Sequence, residues 1–255
     1  MRYEILGPLR VTNADAAASL SARKSEILLA VLLIRSNQLV TMDQLFTEIW
    51  QDNPPRRATA SLHVYISQLR KLLSHPGHPE SPIVTRPQGY LLHVRPGELD
   101  MLDFQELVHL GRAQARAGQH EEACASFNAS LHLWRGPVPR DLAGGPIVKG
   151  FVTWADEAWL ETNELLIESK LMLGRHRECV GWLYSLIAEN PLREAFYRQL
   201  MVALYRSERQ SDALRVYQSA RKSLRDELGL EPGRALRELQ QAILMADEPG
   251  ILRAS

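Results

Sequence analysis

Residues 53–94 decide the fold, and they read NPPRRATASLHVYISQLRKLLSHPGHPESPIVTRPQGYLLHV. The first half carries apolar residues at helical spacing, which predicts a helix with one buried face. These residues are Leu62, Ile66, Leu69 and Leu73. In the second half, short apolar runs at 83–85 and 90–94 flank residues 86–89, whose sequence RPQG is typical of a hairpin turn. A helix followed at once by a hairpin with an arginine at its tip predicts a winged helix.

The charge pattern of this stretch favours DNA as a partner. No acidic residue occurs from Asn53 to Pro79, although Arg56, Arg57, Arg70 and Lys71 lie there. Residues 1–95 carry 11 Lys and Arg against 7 Asp and Glu, or +4, whereas residues 96–255 carry 19 against 23, or −4. The excess is small, but its concentration on one helix and one hairpin is typical of a nucleic-acid interface.

Short strands and two helices are predicted before this stretch. Apolar and charged residues alternate around Tyr3, which predicts a first strand, and the run Leu9-Arg10-Val11 predicts a second. A weak third strand is predicted over 16–20. With the helices and the hairpin, the predicted order is β-β-β-α-α-α-β-β. Ser21 is the expected N-cap of an apolar helix over 23–35, and residues 41–44 fit a capping box that opens a helix ending at Trp50. Proline is expected in the first turn of the third helix, after Asn53.

The chain after a linker at 95–98 is predicted to be helical. The expected helices cover 101–117, 120–134, 148–173, 176–189, 192–207, 210–228 and 233–246. A small residue precedes a large apolar one by four positions in three of them, at Ala123-Phe127, Cys179-Leu183 and Ala213-Tyr217. Cys179 and Ala213 lie 34 residues apart, which is the tetratricopeptide period. We therefore predict a mainly α protein with a small β component: a winged helix-turn-helix domain over 1–95 and an all-α, tetratricopeptide-like repeat domain over 96–255.

Several classes of function are disfavoured by what the sequence lacks. It has no phosphate-cradling glycine loop, no nucleophile-elbow motif and no paired metal-ligand spacing, so we expect no enzyme, no catalytic residue, no cofactor and no metal. The longest apolar run, 27–34, is too short to span a bilayer, so no membrane association is expected. Cys124 and Cys179 lie in helical patterns and are interpreted as buried thiols of a cytoplasmic protein.

Several blocks in one order resemble the Streptomyces antibiotic regulatory protein family. The blocks are 5–9 (ILGPL), 67–73 (SQLRKLL), 85–90 (TRPQGY), 133–137 (LWRGP), 200–206 (LMVALYR) and 227–233 (ELGLEPG). The resemblance covers nearly the whole chain and implies an OmpR-type winged helix followed by a bacterial transcriptional activation domain. It also implies an activator of a secondary-metabolite gene cluster, located with the nucleoid. No receiver domain precedes the winged helix and no ATPase motif is present, so the sequence resembles a small, two-domain member.

One face of the third helix is expected to read DNA. His63 and Gln68 supply the donors and acceptors that base edges require, and Val64 can pack on a thymine methyl. Arg57 and Arg70 are expected to hold phosphates, and Arg86 to enter the minor groove. The alternative for each is a solvated surface side chain. The predicted DNA-binding set is Arg23, Lys24, Arg57, Thr59, His63, Val64, Gln68, Arg70 and Arg86.

The loop between the second and third helices is the expected activation surface, because the resemblance implies that it contacts RNA polymerase. Its residues are Trp50, Gln51, Asp52, Asn53, Pro54 and Pro55; Trp50 is also expected to pack under the recognition helix, and a plain connector is the alternative for the loop. The implied partners are double-stranded promoter DNA with direct repeats near the −35 element, a second protomer in tandem, and RNA polymerase holoenzyme with its sigma subunit. The rival hypothesis is a helical-repeat interaction scaffold whose winged helix binds protein.

Overall fold

The computed structural model describes residues 1–13, 16–18, 22–74 and 81–247. Its contacts group the chain into two compact units. Unit 1 comprises Met1–Val108 and Ala129–Leu160, and unit 2 comprises His109–Asn128 and Glu161–Ser255. Each unit therefore combines two separate segments. These units follow spatial contacts and are divided at positions other than residue 95. The sequence-based domain boundary at residue 95 remains a prediction.

The N-terminal part of unit 1 contains two small antiparallel sheets and three helices. The first sheet has the order β1-β2-β3, from strands Arg2–Glu4, Arg10–Asn13 and Ala16–Ala18. The three helices are α1 (Arg23–Ile34), α2 (Met42–Trp50) and α3 (Ala58–Leu72). The second sheet has the order β4-β6-β5, from β4 (Val40–Thr41), β5 (Ile83–Arg86) and β6 (Gly89–Leu92). This arrangement confirms the predicted winged helix.

Helix α1 is the centre of this core. Residues 27–33 are all buried, because the helix is apolar on every side and contacts α2, α3 and β6. The predicted buried face of α3 is confirmed as well: Leu62, Ile66 and Leu69 are buried, as is Leu73 at its C-cap. The capping box of α2 is confirmed by the Gln44 N–H donating to Thr41 Oγ1 at 3.3 Å and the Thr41 N–H donating to Gln44 Oε1 at 2.9 Å.

Some predicted boundaries are wrong. Helix α3 begins at Ala58 rather than at the prolines, because Arg57 has non-helical backbone angles and the Ala58 N–H donates to the Pro55 carbonyl in a separate turn. Strand β4 was not predicted, since two residues carry no periodicity. The predicted cap Ser21 and the end of the weak third strand at residues 19–20 lie outside the described residues, and Ala22 occupies the N-cap of α1.

The predicted linker at 95–98 is held against β1. The Tyr3 N–H donates to the Glu98 carbonyl at 2.6 Å, and Tyr3 forms a parallel bridge with Leu99. Asp100, only 2% exposed, then accepts the N–H groups of Ile5 and Leu6 at 2.9 Å. Burial raises the pKa of the Asp100 carboxyl, against the opposing effect of these N–H groups and of Arg135. Residues beyond 95 thus complete the hydrogen bonding of the first sheet.

The rest of the described chain is helical, as predicted. The helices are α4 (Asp100–Arg116), α5 (His120–His132), α6 (Pro146–Met172), α7 (His176–Glu189), α8 (Glu194–Tyr205), α9 (Gln210–Leu228) and α10 (Arg234–Met245), with a 3₁₀ helix at Arg140–Leu142. Within unit 2, the backbone at Gly111 approaches Phe127 of the predicted repeat closely, because a Cβ at Gly111 would lie 2.6 Å from the Phe127 ring. Both thiols are buried, and burial raises the pKa of Cys179 to about 11.

Candidate nucleic-acid interface

The outward face of α3 is a continuous exposed stripe. It consists of Thr59, Ala60, His63, Val64, Ser67, Gln68 and Lys71. Four of the predicted DNA-reading residues lie on it, and Val64 is 53% exposed although it is apolar. Exposed apolar side chains on an otherwise polar helix face are expected where a partner supplies apolar groups such as thymine methyls. The sequence prediction did not include Ala60, Ser67 and Lys71, although the spacing from the buried Leu62 and Ile66 places them on this face.

Arg70 lies elsewhere on α3 and is bound to the hairpin. Its guanidinium donates to the Ile83 carbonyl at 2.9 Å and 3.2 Å and to Thr85 Oγ1 at 2.8 Å. A planar fork with several donors is suited to this kind of contact. Arg70 therefore ties the recognition helix to β5, and its predicted role as a phosphate ligand competes with these hydrogen bonds.

The hairpin presents Arg86 at its tip, as predicted. Arg86 pairs with Gly89 across the β5–β6 turn, and Arg86, Pro87 and Gln88 are all exposed. Gly89 is required for close approach, because a Cβ there would overlap the Val40 carbonyl oxygen of β4. The Met42 N–H also donates to the Gln88 carbonyl at 3.0 Å. The wing is thus fixed to the start of α2 while its arginine remains at the surface.

The two basic residues at the start of α1 have partners within unit 1. Arg23 forms an ion pair with Asp141 of the 3₁₀ helix at 3.3 Å, with both side chains more than half exposed. Lys24 Nζ lies 5.4 Å from the centre of the Trp50 ring. Exposed ion pairs and cation–π contacts are weak enough to be exchanged for a phosphate. Their predicted phosphate contact stays a prediction.

The predicted activation loop divides into a buried and an exposed part. Trp50 is 8% exposed and packs against the rings of Phe46 and Tyr65, with centroids 5.7 Å and 6.2 Å away. The Trp50 side chain therefore packs in the interior of unit 1 and is not part of the surface of the loop. Residues 51–57 are all exposed. This loop presents its side chains, including Asp52, to a potential partner.

No cluster of three or more metal-ligating side chains occurs in the described ranges. Among the described helices, none combines the length and apolar character needed to cross a bilayer. A winged helix with an exposed polar recognition face and an arginine-tipped wing, joined to a helical domain, defines a DNA-binding transcriptional regulator.

Comparison with known proteins agrees with this class. A family described as the bacterial transcriptional activator domain matches residues 99–244, and one described as the C-terminal domain of transcriptional regulatory proteins matches residues 16–92. The regulatory protein DnrI of Streptomyces peucetius is 35% identical over 259 residues, which cover 99% of this chain and 95% of DnrI. The chain belongs to the Streptomyces antibiotic regulatory protein family.

Longer relatives share the same two domains. The transcriptional regulatory protein EmbR of Mycobacterium tuberculosis is 36% identical over 243 residues, which are 95% of this chain but 63% of EmbR. This chain therefore spans less than two thirds of the length of EmbR. A solved structure of Mycobacterium tuberculosis EmbR in complex with a low-affinity phosphopeptide matches with a TM-score of 0.92 and 35% identity, covering 99% of this chain and 68% of that one. Both of these relatives are named as regulatory proteins rather than as enzymes.

Proposed function

We propose that this regulator is a sequence-specific activator of a secondary-metabolite gene cluster. It binds direct repeats near the −35 element of its promoters and recruits RNA polymerase holoenzyme through the sigma subunit. The observation that carries the proposal is that unit 1 exposes two sets of side chains: the polar stripe of α3 with the wing, and the loop 51–55 that follows α2. One surface serves promoter DNA and the other serves polymerase in the cytoplasm, at the nucleoid.

Two protomers are proposed to bind in tandem on the direct repeats. Repeats about one helical turn apart place both recognition helices on the same face of the duplex. Adding about half a turn between the repeats is therefore expected to abolish cooperative binding. Occupancy that survives this insertion would contradict the tandem arrangement.

The wing provides the first test of DNA recognition. In the full chain, Arg86→Ala is expected to weaken promoter binding, mostly at A·T-rich flanks, and to reduce the slope of log affinity against log salt by about 1. Arg116→Ala is the matched control, because Arg116 is an exposed arginine of unit 2 in the acidic part of the chain. Fluorescence anisotropy at several salt concentrations measures the promoter affinity and its salt dependence for each variant.

The alternative function is a repeat-domain interaction scaffold whose winged helix binds protein. It is distinguished by salt dependence, because contacts with several phosphates release counterions and lose affinity steeply as salt rises. Affinity for promoter DNA that hardly changes with salt would favour the scaffold. Footprinting on promoters of neighbouring genes identifies the operator if the activator proposal is correct.

A further inference from the structure

We infer that Glu48 and the turn Gly144-Gly145 form a positioning contact that sets the conformation of the loop 51–55. The inference rests on the proposed function, since it assigns the control of polymerase contact to residues outside the DNA-reading surface. Glu48 lies in α2, within the winged helix, whereas Gly144 and Gly145 belong to the matched activator domain. All three residues are in unit 1.

Glu48 is a buried carboxylate that caps a helix distant in sequence. It is 1% exposed, and its two oxygens accept the N–H groups of Ile147 at 2.6 Å and Val148 at 3.4 Å. These N–H groups belong to the first turn of α6, where the helix supplies no acceptor and carries partial positive charge. The contact therefore gives hydrogen-bond partners both to the buried Glu48 carboxylate and to the buried N–H groups at the start of α6, and it fixes α2 to α6.

Two glycines make this contact possible. A Cβ at Gly145 would lie 2.5–2.7 Å from all three atoms of the Glu48 carboxylate. At Gly144 it would lie 3.1 Å from the Glu48 carbonyl oxygen and 3.2 Å from Gln51 Nε2. The same turn thus contacts the carboxylate of α2, its backbone and the first residue of the loop.

The loop leaves α2 through an uncommon backbone conformation. Gln51, the C-cap residue, has φ 53° and ψ −126°, although it is not a glycine. Such a conformation is unfavourable for a residue other than glycine and persists where the surroundings impose it. The surroundings here are the Gln51 N–H donating to the Thr47 carbonyl at 3.0 Å, the packed ring of Trp50, and the Gly144 turn against the Gln51 side chain.

The DNA-reading face does not take part in this contact. Helix α3 is held by its buried face against α1 and by Arg70 against β5, while its contact with Trp50 is made by the half-buried Tyr65, which is not part of the exposed stripe. A disturbance at Gly145 therefore acts on the last turn of α2 and the loop, and leaves the exposed stripe of α3 in place. Activation should fall more than DNA binding, because only the fraction of molecules with the correct loop conformation can engage polymerase.

The test uses Gly145→Ala in the full chain, with Gly150→Ala as the matched control. Gly150 lies in helix α6, which begins directly after Gly145, and a Cβ at Gly150 meets nothing within 4 Å. We expect Gly145→Ala to lower in vitro transcription by about fivefold or more, with operator affinity within about twofold of wild type. Gly150→Ala should match wild type in both measurements. Wild-type transcription by Gly145→Ala, or a parallel loss of transcription and DNA affinity, overturns the inference.

A readout independent of transcription is tryptic cleavage after Arg56 and Arg57, which follow the loop directly and are exposed. Loss of the positioning contact is expected to raise the cleavage rate there by about threefold or more, since local opening exposes the bonds to the protease. Mass spectrometry assigns the sites. If the wild-type chain activates no promoter, the proposed function fails. A cleavage rate in Gly145→Ala equal to that of wild type would overturn the positioning role by itself.

Rescue separates a specific contact from general damage. Glu48→Asp shortens the side chain by one methylene and withdraws the carboxylate from the space that the Gly145→Ala methyl needs. The double variant should therefore be more active than the product of the two single effects; multiplicative loss contradicts action through one contact. Should Gly145→Ala fail to fold, Glu48→Gln takes its place in the same measurements, with the same expected results. This substitution keeps the side-chain volume and one acceptor oxygen but removes the negative charge.

Discussion

The exposed face of α3 and the C-terminal end of α2 are held in place by different contacts. The face of α3 that is proposed to read DNA presents exposed polar side chains, and α3 contacts its neighbours α1 and the wing. The end of α2 depends on residues about 100 positions later, through the contact of Glu48 with Ile147. The surface proposed to read DNA is therefore held by residues close to it in the sequence, whereas the end of α2, from which the loop begins, is held by a residue of the first turn of α6. The difference teaches that the two surfaces of one small domain can be controlled separately.

Truncation after residue 95 should break this comparison most strongly. The fragment loses Asp100, which accepts the Ile5 and Leu6 N–H groups, together with the residues that cover the Glu48 carboxylate and donate to it. Each hydrogen bond to a charged group contributes about 1.5–3 kcal/mol. We expect fragment 1–95 to melt far below a chain ending at residue 173, which keeps both contacts. Equal midpoints in circular dichroism melting curves would show that the winged helix folds without the later residues.

Substitution of Gly89 tests the DNA-reading end. In Gly89→Ala the new methyl overlaps the Val40 carbonyl oxygen, so β4 and β6 must separate. Overpacking against backbone is expected to destabilise the chain by about 3 kcal/mol and to lower operator affinity by displacing the wing. Gly181→Ala is the control, since Gly181 lies in helix α7 and a Cβ there meets nothing within 4 Å. Wild-type stability and affinity in Gly89→Ala would contradict the wing geometry.

Substitution of an exposed side chain of α3 should have a smaller effect that depends on the DNA sequence. Gln68 is exposed, and its Oε1 lies 3.5 Å from the Ser25 hydroxyl, which donates to it. Gln68→Ala should change base preference at one operator position by about 1–3 kcal/mol, without altering the folded structure. Selection of preferred sites from a random DNA pool measures this. Identical preferred sites for variant and wild type would remove Gln68 from the reading set.

The smallest effect is expected at the start of α1. Asp141→Ala removes the carboxylate of the exposed ion pair with Arg23, and the guanidinium then keeps only its hydrogen bond to the backbone carbonyl of residue 141, which a phosphate can replace. We expect a gain in DNA affinity below about 1 kcal/mol, with a slightly steeper salt dependence. The variant Arg23→Ala in the Asp141→Ala background should cancel the gain. A gain that persists without Arg23 would show that the pair has no part in DNA binding.

The sequence predicted the elements well because their signals are local. The apolar spacing of α3, the capping box at Thr41 and the turn at 86–89 each arise from neighbouring residues. The helices after Asp100 were predicted within a few residues for the same reason. The start of α3 was misplaced, because proline is compatible both with a first helical turn and with the loop that precedes it.

The contacts between distant residues could not be predicted. Glu48 reads as an ordinary surface carboxylate of an amphipathic helix, and only the tertiary structure places it against the first turn of α6. Arg70 likewise reads as a phosphate ligand, although its guanidinium is bound to the Ile83 carbonyl. The conformation of Gln51 had no local signal, since the sequence around it lacks a glycine. These residues depend on partners that no local pattern specifies.

The central claim is that activation and DNA binding are separable, and Asp52→Ala tests it most directly. Asp52 is exposed in the loop that Gln51 and Trp50 position, and it is suited to a basic surface on the polymerase. Asp43→Ala is the control, since Asp43 is also an exposed carboxylate and lies at the opposite end of helix α2, in its first turn.

The decisive measurement pairs in vitro transcription with operator affinity on one promoter. Loss of an exposed charge contact weakens the polymerase complex by about 1 kcal/mol or less, so transcription by Asp52→Ala should fall up to about fivefold. Operator affinity should stay at the wild-type value, and Asp43→Ala should change neither quantity. If Asp52→Ala loses transcription and operator affinity together, the loop belongs to the DNA interface or to the fold, and the account is contradicted.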